Sequence, residues 1–431
     1  MKFAVKFAVV AAAAVCWAAR AQADLSQPGP YAAGSTQVLI TRPDNTTFSA
    51  LLYYPATAAG TNTPLAPGGE FSAITFGHGF FQTPNRYFGT SEHLASRGHL
   101  VIAPASEVGL TPSHPNFASD MRIALDYLTA RNSNPVDPLF GRVNTGGFGL
   151  FGHSMGGGAG LLATAADPRI KAFAGLATAI TNPSPVPLMP SINVPVALLS
   201  GDEDGIVPYN TATVPIYNAA TAPKLQPLIT GGYHVGFQDN PFPLFADSGS
   251  LPAAEQLAIT RAYLTSFFGL YLQDDQSLWR NIWGPEAFSQ SGLPTLADSG
   301  ISLSAAALTQ SDDPGAAVIY QVTLTNTGPI ANSFGLFAED NAWAVTLSDT
   351  QSPLLAPGEQ FVFDVEVLIP GGAVPGLSDL LLLSARSDND GGTRGYTVLT
   401  TQAVPEPGSL VLAMTAAVGV STVALRRRRK I

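Results

Sequence analysis

The sequence predicts an α/β protein, a doubly wound and mostly parallel sheet followed by a small all-β unit, and three observations predict it. From residue 24 to about residue 288, short apolar runs alternate with helix-like stretches, the pattern of a parallel sheet covered on both faces. Within that alternation Phe148, Leu150 and Phe151 lead into Gly152-His153-Ser154-Met155-Gly156 and then into small residues up to 166, which reads as strand, sharp turn and helix. Beyond Pro294 the texture changes to short stretches of period two, separated by Gly and Pro turns.

The elements come in order along the chain. Residues 1–23 read as a secretory signal, with Lys2 and Lys6, an apolar stretch to Trp17, and Ala21-Gln22-Ala23 ahead of Asp24. Strand-like runs at 37–41, 48–54 and 71–76 lead to the turn Gly77-His78-Gly79-Phe80-Phe81. A helix around 87–96, a strand at 100–103 and an amphipathic helix at 117–130 precede the serine turn. Strands at 170–176, 196–200 and 225–229 and a closing helix at 253–272 complete the unit 24–288. Residues 289–298 read as a linker. In 299–403, Val318, Tyr320, Val322 and Leu324 alternate with Ile319, Gln321 and Thr323 before the turn Asn326-Thr327-Gly328. Trp343, Val345 and Leu347 repeat the period, as do Phe361, Phe363, Val365 and Val367, which predicts an immunoglobulin-like β-sandwich. Ser387-Asp388-Asn389-Asp390-Gly391 lacks the downstream glutamate of a calcium loop and reads as a hairpin turn. In 404–431, Val404-Pro405-Glu406-Pro407-Gly408-Ser409 precedes an uncharged run, 410–425, which spans about 24 Å as a helix against a hydrocarbon core of about 30 Å. The basic cluster after it, Arg426 to Lys430, would stay on the cytoplasmic side.

At 431 residues, 46% apolar and 12% charged, the chain is long enough for two or three domains with sizeable cores. Its net charge is -10 although both ends are basic, so the body between them is more acidic still. That balance excludes nucleic acid as a partner, because the lysine and arginine footprint such binding needs is missing. Cys16, the single cysteine, lies in the signal, so the mature chain has no disulfide despite export. No metal and no cofactor are expected, and the protein is expected to act as a monomer.

The G-x-S-x-G spacing strips side chains from both sides of the serine, so the turn closes tightly and the Ser154 hydroxyl projects above the sheet edge. Serine is a weak nucleophile alone and needs a base and an acid, in the chain order Ser, Asp or Glu, His. Gly201-Asp202-Glu203-Asp204-Gly205-Ile206-Val207-Pro208 puts three carboxylates on one loop at a strand end, and one of them should orient a histidine. His234, ending Gly231-Gly232-Tyr233-His234, is the only one of six histidines after that loop. The others have local readings: His78 in a glycine turn, His93 on a helix, His99 at a strand start, His114 in a proline-flanked loop, His153 inside the serine turn. A tetrahedral intermediate also needs two backbone N–H donors, expected from Met155 and from Phe80 in the loop after the 71–76 strand. The rings of Phe80 and Phe81 are expected to line the acyl pocket.

With these residues placed, the part 24–288 resembles the α/β-hydrolases, in particular their dienelactone-hydrolase-like branch and, within it, the bacterial cutinases and poly(ethylene terephthalate) hydrolases. The carrying segments are Gly152-His153-Ser154-Met155-Gly156-Gly157, Asp204-Gly205-Ile206-Val207-Pro208, Pro215-Ile216-Tyr217 and Gly231-Gly232-Tyr233-His234. In that family the acid four residues before the proline completes the triad, which implies Asp204. The resemblance also implies that Phe80 stands at an aromatic oxyanion position and Ile206 at an apolar substrate wall. The chain departs from the family where Ala177-Thr178-Ala179-Ile180 replaces an expected tryptophan, and in having no disulfide. The implied activity is hydrolysis of carboxylic esters, including insoluble polyesters, through an acyl-enzyme. Lipase or peptidase chemistry on the same triad, and a catalytically idle surface or matrix scaffold, are the competing readings. The tail resembles the PEP-CTERM sorting signal, which implies Gram-negative export, removal of the tail by an exosortase and association with the cell surface or extracellular matrix.

Overall fold

Ten strands order as β10-β9-β8-β7-β6-β4-β5-β2-β1-β3 in one mixed sheet. In the computed structural model, which describes residues 24–243 and 246–404, the elements are β1 (Ala32–Thr41), β2 (Thr47–Ala56), β3 (Gly60–Thr61), β4 (Phe71–Gly77), α1 (Phe88–Ser96), β5 (His99–Pro104), α2 (His114–Asn132), β6 (Val143–His153), α3 (Met155–Ala166), β7 (Ile170–Leu176), β8 (Val196–Gly201), α4 (Thr213–Ala219), β9 (Lys224–Ile229), α5 (Ala253–Leu272), α6 (Trp279–Ile282), α7 (Pro285–Ser289) and β10 (Thr295–Asp298). The signal expected at 1–23, and all of the sorting tail but Val404, lie outside the described residues. Among the described residues no helix is long and apolar enough to cross a membrane.

The six strands from β5 through β4, β6, β7 and β8 to β9 are parallel, whereas β2 joins β5 and β10 joins β9 antiparallel. Every residue of β4, β5 and β8 is buried, which explains their unbroken apolar runs, since a parallel strand is covered on both faces. Leu100 and Ile102 pack with Met121 and Leu125 of α2 and Leu161 of α3, while Val101 and Ala103 pack on the other face with Leu94 of α1 and Phe267 and Phe268 of α5. The result is a mixed α/β unit consistent with an α/β-hydrolase, with helices on both faces as the alternation predicts.

The remaining chain forms β11 (Ile301–Ala305), β12 (Thr309–Asp312), β13 (Ala317–Asn326), β14 (Phe334–Glu339), β15 (Ala344–Leu347), β16 (Gln360–Leu368), β17 (Ser378–Ser387) and β18 (Arg394–Ala403). They make two four-stranded sheets, β11-β13-β16-β15 and β12-β18-β17-β14. Tyr320, Val322 and Leu324 of one sheet and Leu336, Leu383 and Leu399 of the other fill a shared core. Residues 388–393 turn β17 into its antiparallel partner β18, and the Asp390 carboxylate accepts the N–H groups of Gly392 and Thr393.

The second sheet is apolar on its outer side as well, because that side packs on the large unit. Leu382 joins the core that holds Leu278, Trp279 and Trp283. The Arg394 guanidinium lies between the Trp279 ring at 4.7 Å and the Phe337 ring at 4.8 Å, and donates to Gln276 and Glu339. The Tyr271 hydroxyl is shared by Trp283 Nε1 at 2.6 Å and the Thr393 hydroxyl at 3.0 Å. The stretch read as a linker contributes β10, which extends the large sheet beyond β9. A cavity of about 390 Å³ separates the two units beside Lys171, Pro195 and Pro223, near the N-terminal ends of β7, β8 and β9. The C-terminal ends of the parallel strands therefore lie at the opposite edge of the sheet, where sites of open α/β sheets form.

Candidate active site

Ser154 joins β6 to α3 with φ 56° and ψ −119°, a backbone conformation that costs a non-glycine residue about 1–3 kcal/mol. The turn can close around it because the residues two positions away on either side are glycine: a Cβ on Gly152 would run into the backbone of Gly156, and one on Gly156 into the backbone of Gly77. The Ser154 N–H donates to Leu176 O at 2.9 Å and its carbonyl accepts from Gly157, Gly158 and Ala179, so the strained residue is held from both sides. Met155 begins α3, where a backbone N–H has no acceptor within the helix.

The acid loop comes after β8, and its three carboxylates face different partners. Asp204 is buried; its Oδ1 accepts the N–H groups of Ile206 at 2.9 Å and Val207 at 2.7 Å, and its Oδ2 accepts from His234 Nδ1 at 2.8 Å. Asp202 Oδ1 instead takes the Gly231 N–H at 2.6 Å, and Glu203 takes the Ser250 N–H and hydroxyl. With Nδ1–H engaged by Asp204, His234 presents Nε2 as its proton acceptor. Its ring lies 4.5 Å, centroid to centroid, from that of His153, the residue before Ser154. Asp204 and His234 are thus brought into direct contact; among the described residues no hydrogen bond joins the Ser154 hydroxyl to the His234 ring, a bond that in such sites often tightens only around substrate.

Phe80 and Ile206 lie at the open edge, 40% and 45% exposed. Phe81 adopts φ 55°, with its ring 6.3 Å from that of Phe80 and 6.0 Å from that of Phe242. Ala177 comes directly after β7 with φ 46°, and Ile180 beyond it is 41% exposed.

Several residues at the site escaped the sequence reading. Asp247 accepts the N–H groups of His234 at 2.9 Å, Val235 at 3.0 Å and Gly205 at 3.2 Å, so one carboxylate spans the acid and histidine loops. Gln256 of α5 pairs its amide with the backbone of Tyr233 in both directions, at 3.0 and 2.8 Å. His153 stands at 2.8 Å from the Tyr87 hydroxyl and 3.1 Å from His234 O. The available signal for Asp247 was weak: a carboxylate thirteen residues after His234 that opens the polar run Asp247-Ser248-Gly249-Ser250 resembles any solvated turn. Asp247→Ala is expected to lower stability by about 1–2 kcal/mol, since it strips acceptors from three N–H groups that water only partly replaces. A lowered urea midpoint with an unchanged slope checks this.

A family model described as PETase, PET hydrolase-like, matches residues 20–240. The chain is 29% identical over 168 residues to a bis(hydroxyethyl) terephthalate hydrolase of Streptomyces coelicolor, which covers 39% of this chain and 48% of that protein. It is 30% identical over 150 residues to cutinase est1 of Thermobifida alba, covering 35% and 48%, and 27% identical over 224 residues to cutinase cut1 of Thermobifida fusca, covering 50% and 67%. The chain spans about half the length of the first two of these relatives. Ser154, Asp204, His234 and Phe80 fall inside the family match; Asp247, Gln256 and the two smaller sheets fall beyond it.

Proposed function

This chain belongs to the PET hydrolase-like family, and from that premise we propose that it is an exported serine hydrolase that cleaves carboxylic esters, polyesters among them. The observation that carries the reading is the buried 2.8 Å bond from His234 Nδ1 to Asp204, set at the same sheet edge as the strained Ser154 turn. Ser154 Oγ attacks the acyl carbon while His234 Nε2 takes its proton; Asp204 holds the ring in the tautomer that leaves Nε2 free. Charge develops on the acyl oxygen and is met by the N–H groups of Met155 and Phe80, each such donor contributing about 3–4 kcal/mol to the transition state. The tetrahedral species collapses to an acyl-enzyme, the alcohol leaves with the proton from His234, and water attacking through the same base releases the acid.

Polyester as substrate is supported by the rim. Phe80, Ile180 and Ile206 come from loops after three different parallel strands and expose apolar surface together at one edge, which suits an extended or insoluble chain better than a small ester enclosed on all sides. Residues 24–288 are the catalytic domain in this reading, residues 299–403 an immunoglobulin-like sandwich that stabilises and displays it, and 1–23 and 404–431 the signal and the PEP-CTERM sorting tail, which an exosortase removes.

Assaying the protein on nitrophenyl esters of graded acyl length and on a polyester film tests the function, and a fluorophosphonate probe tests the nucleophile. Turnover of the esters, soluble products from the film and labelling of Ser154 alone are expected. Folded protein that neither turns over esters nor takes the probe would identify an idle scaffold.

A further inference from the structure

The Tyr87 hydroxyl sits where three loops of the candidate site meet. The residue is fully buried, its ring wedged against Phe76 at 4.8 Å and His153 at 5.4 Å. Its oxygen lies 3.2 Å from the N–H of Gly79, 2.8 Å from His153 Nδ1 and 3.3 Å from Gln238 Nε2, while His153 Nε2 lies 3.1 Å from His234 O. Gly79 precedes the oxyanion donor Phe80, His153 precedes Ser154, and His234 is the base.

The direction of every bond in this chain is set by donor and acceptor capacity. A carbonyl only accepts, so His153 Nε2 carries the proton that it gives to His234 O; in a neutral imidazole Nδ1 must then accept. Burial, aided by the neighbouring His234, pushes the His153 pKa well down and keeps that ring neutral. The Tyr87 hydroxyl therefore donates to Nδ1, and its two lone pairs take Gly79 N–H and Gln238 Nε2–H, which saturates it. We propose that Tyr87 is a positioning residue: through His153 its hydroxyl locks the oxyanion loop, the serine turn and the histidine loop into one rigid unit. The inference rests on the functional reading of Ser154, His234 and Phe80. Nothing in the local sequence marks Tyr87, since Asn85-Arg86-Tyr87-Phe88 opens a helix and its partners lie 8, 66 and 151 residues away.

Tyr87→Phe keeps the ring and deletes the hydroxyl. Turnover per active site, counted with a fluorophosphonate, is expected to fall about 10- to 100-fold, as for small misplacements of catalytic groups. KM for a short nitrophenyl ester should stay within about twofold, because ground-state binding is untouched. Combining Tyr87→Phe with His153→Gln should cost little more than either alone, the sign of residues acting as a unit. A folded Tyr87→Phe protein whose melting temperature drops but whose turnover per titrated site matches wild type has lost only a structural bond, and overturns the proposal. Histidine-selective nitrogen NMR of the wild-type protein needs no variant: His153 should stay the neutral, Nε2-protonated tautomer through the range in which a free imidazole titrates. An Nδ1-protonated or titrating His153 overturns the bond order. Wild-type protein without esterase activity would bring down the functional reading instead, and the NMR result would still decide the network.

Discussion

Ser154→Ala and His234→Ala are each expected to lower kcat on a short-chain nitrophenyl ester by about 10⁴-fold or more, with no more added by combining them, because the two groups act as one unit. At 25 °C a 10⁴-fold loss is about 5.4 kcal/mol of transition-state stabilisation. Asp204→Asn should cost about 10³- to 10⁴-fold: the amide leaves the loop intact through its carbonyl oxygen but no longer holds the imidazole in the required tautomer. Asp202 provides the control on the same loop. Its carboxylate takes the Gly231 N–H, a bond an asparagine carbonyl can keep, so Asp202→Asn should change kcat by less than about threefold. Steady-state kinetics on the four variants, with cooperative melting as the check on folding, would expose a wrong choice of acid if Asp202→Asn proved the more damaging.

Ending the chain after Phe288 is expected to destabilise the large unit strongly while leaving its proposed chemistry intact. The truncation deletes β10 and bares the edge of β9. It also uncovers Trp279, Leu278 and Tyr271, which now lie under Leu382, Tyr396 and Arg394. Each large apolar side chain returned to water costs about 1.5–3 kcal/mol, so two or three of them lower the melting temperature by about 10 °C or more in a unit of this size. Turnover per titrated site at low temperature should stay within about threefold of the longer protein, because the two smaller sheets meet the large one away from the Ser154 edge. Calorimetry and active-site titration separate the two effects. Melting within a few degrees of the parent would show that the units fold independently.

The large unit was legible because its signals are local. Continuous apolar strands, helix periodicity and the glycines around Ser154 each act within about a dozen residues, and Asp204 and His234 both sit at strand ends with turns of their own. The small unit was legible only where one face of a strand meets solvent. β13 and β16 alternate cleanly, whereas Leu380 to Leu383 of β17 show no period, because Leu381 and Leu383 point into the shared core and Leu382 into the large unit. β10 is too short to show any period and exists because β9 offers it an edge. The supports of the histidine loop were invisible for a different reason. Asp202, Asp247, Gln256 and His153 each satisfy a backbone group of residues 231–235 from another segment, and such pairings are a property of the closed fold.

The course of β18 sets which way the molecule faces. Arg394 and Tyr396, at its start, press against Trp279, whereas Ala403, at its end, pairs with Asp312 of β12 and bonds Gly376 and Leu377 of the turn before β17. Nine residues of strand separate these points, about 30 Å. A chain held to a surface through its residues beyond Val404 would therefore be gripped at the pole of the small unit, with the large sheet standing beyond it as on a stalk. The small unit abuts the N-terminal ends of β7 to β9, so the rim of Phe80, Ile180 and Ile206 would look away from the support and into the surrounding medium. Held in that orientation, the rim would stay open to whatever the medium carries, and the support would not shade it.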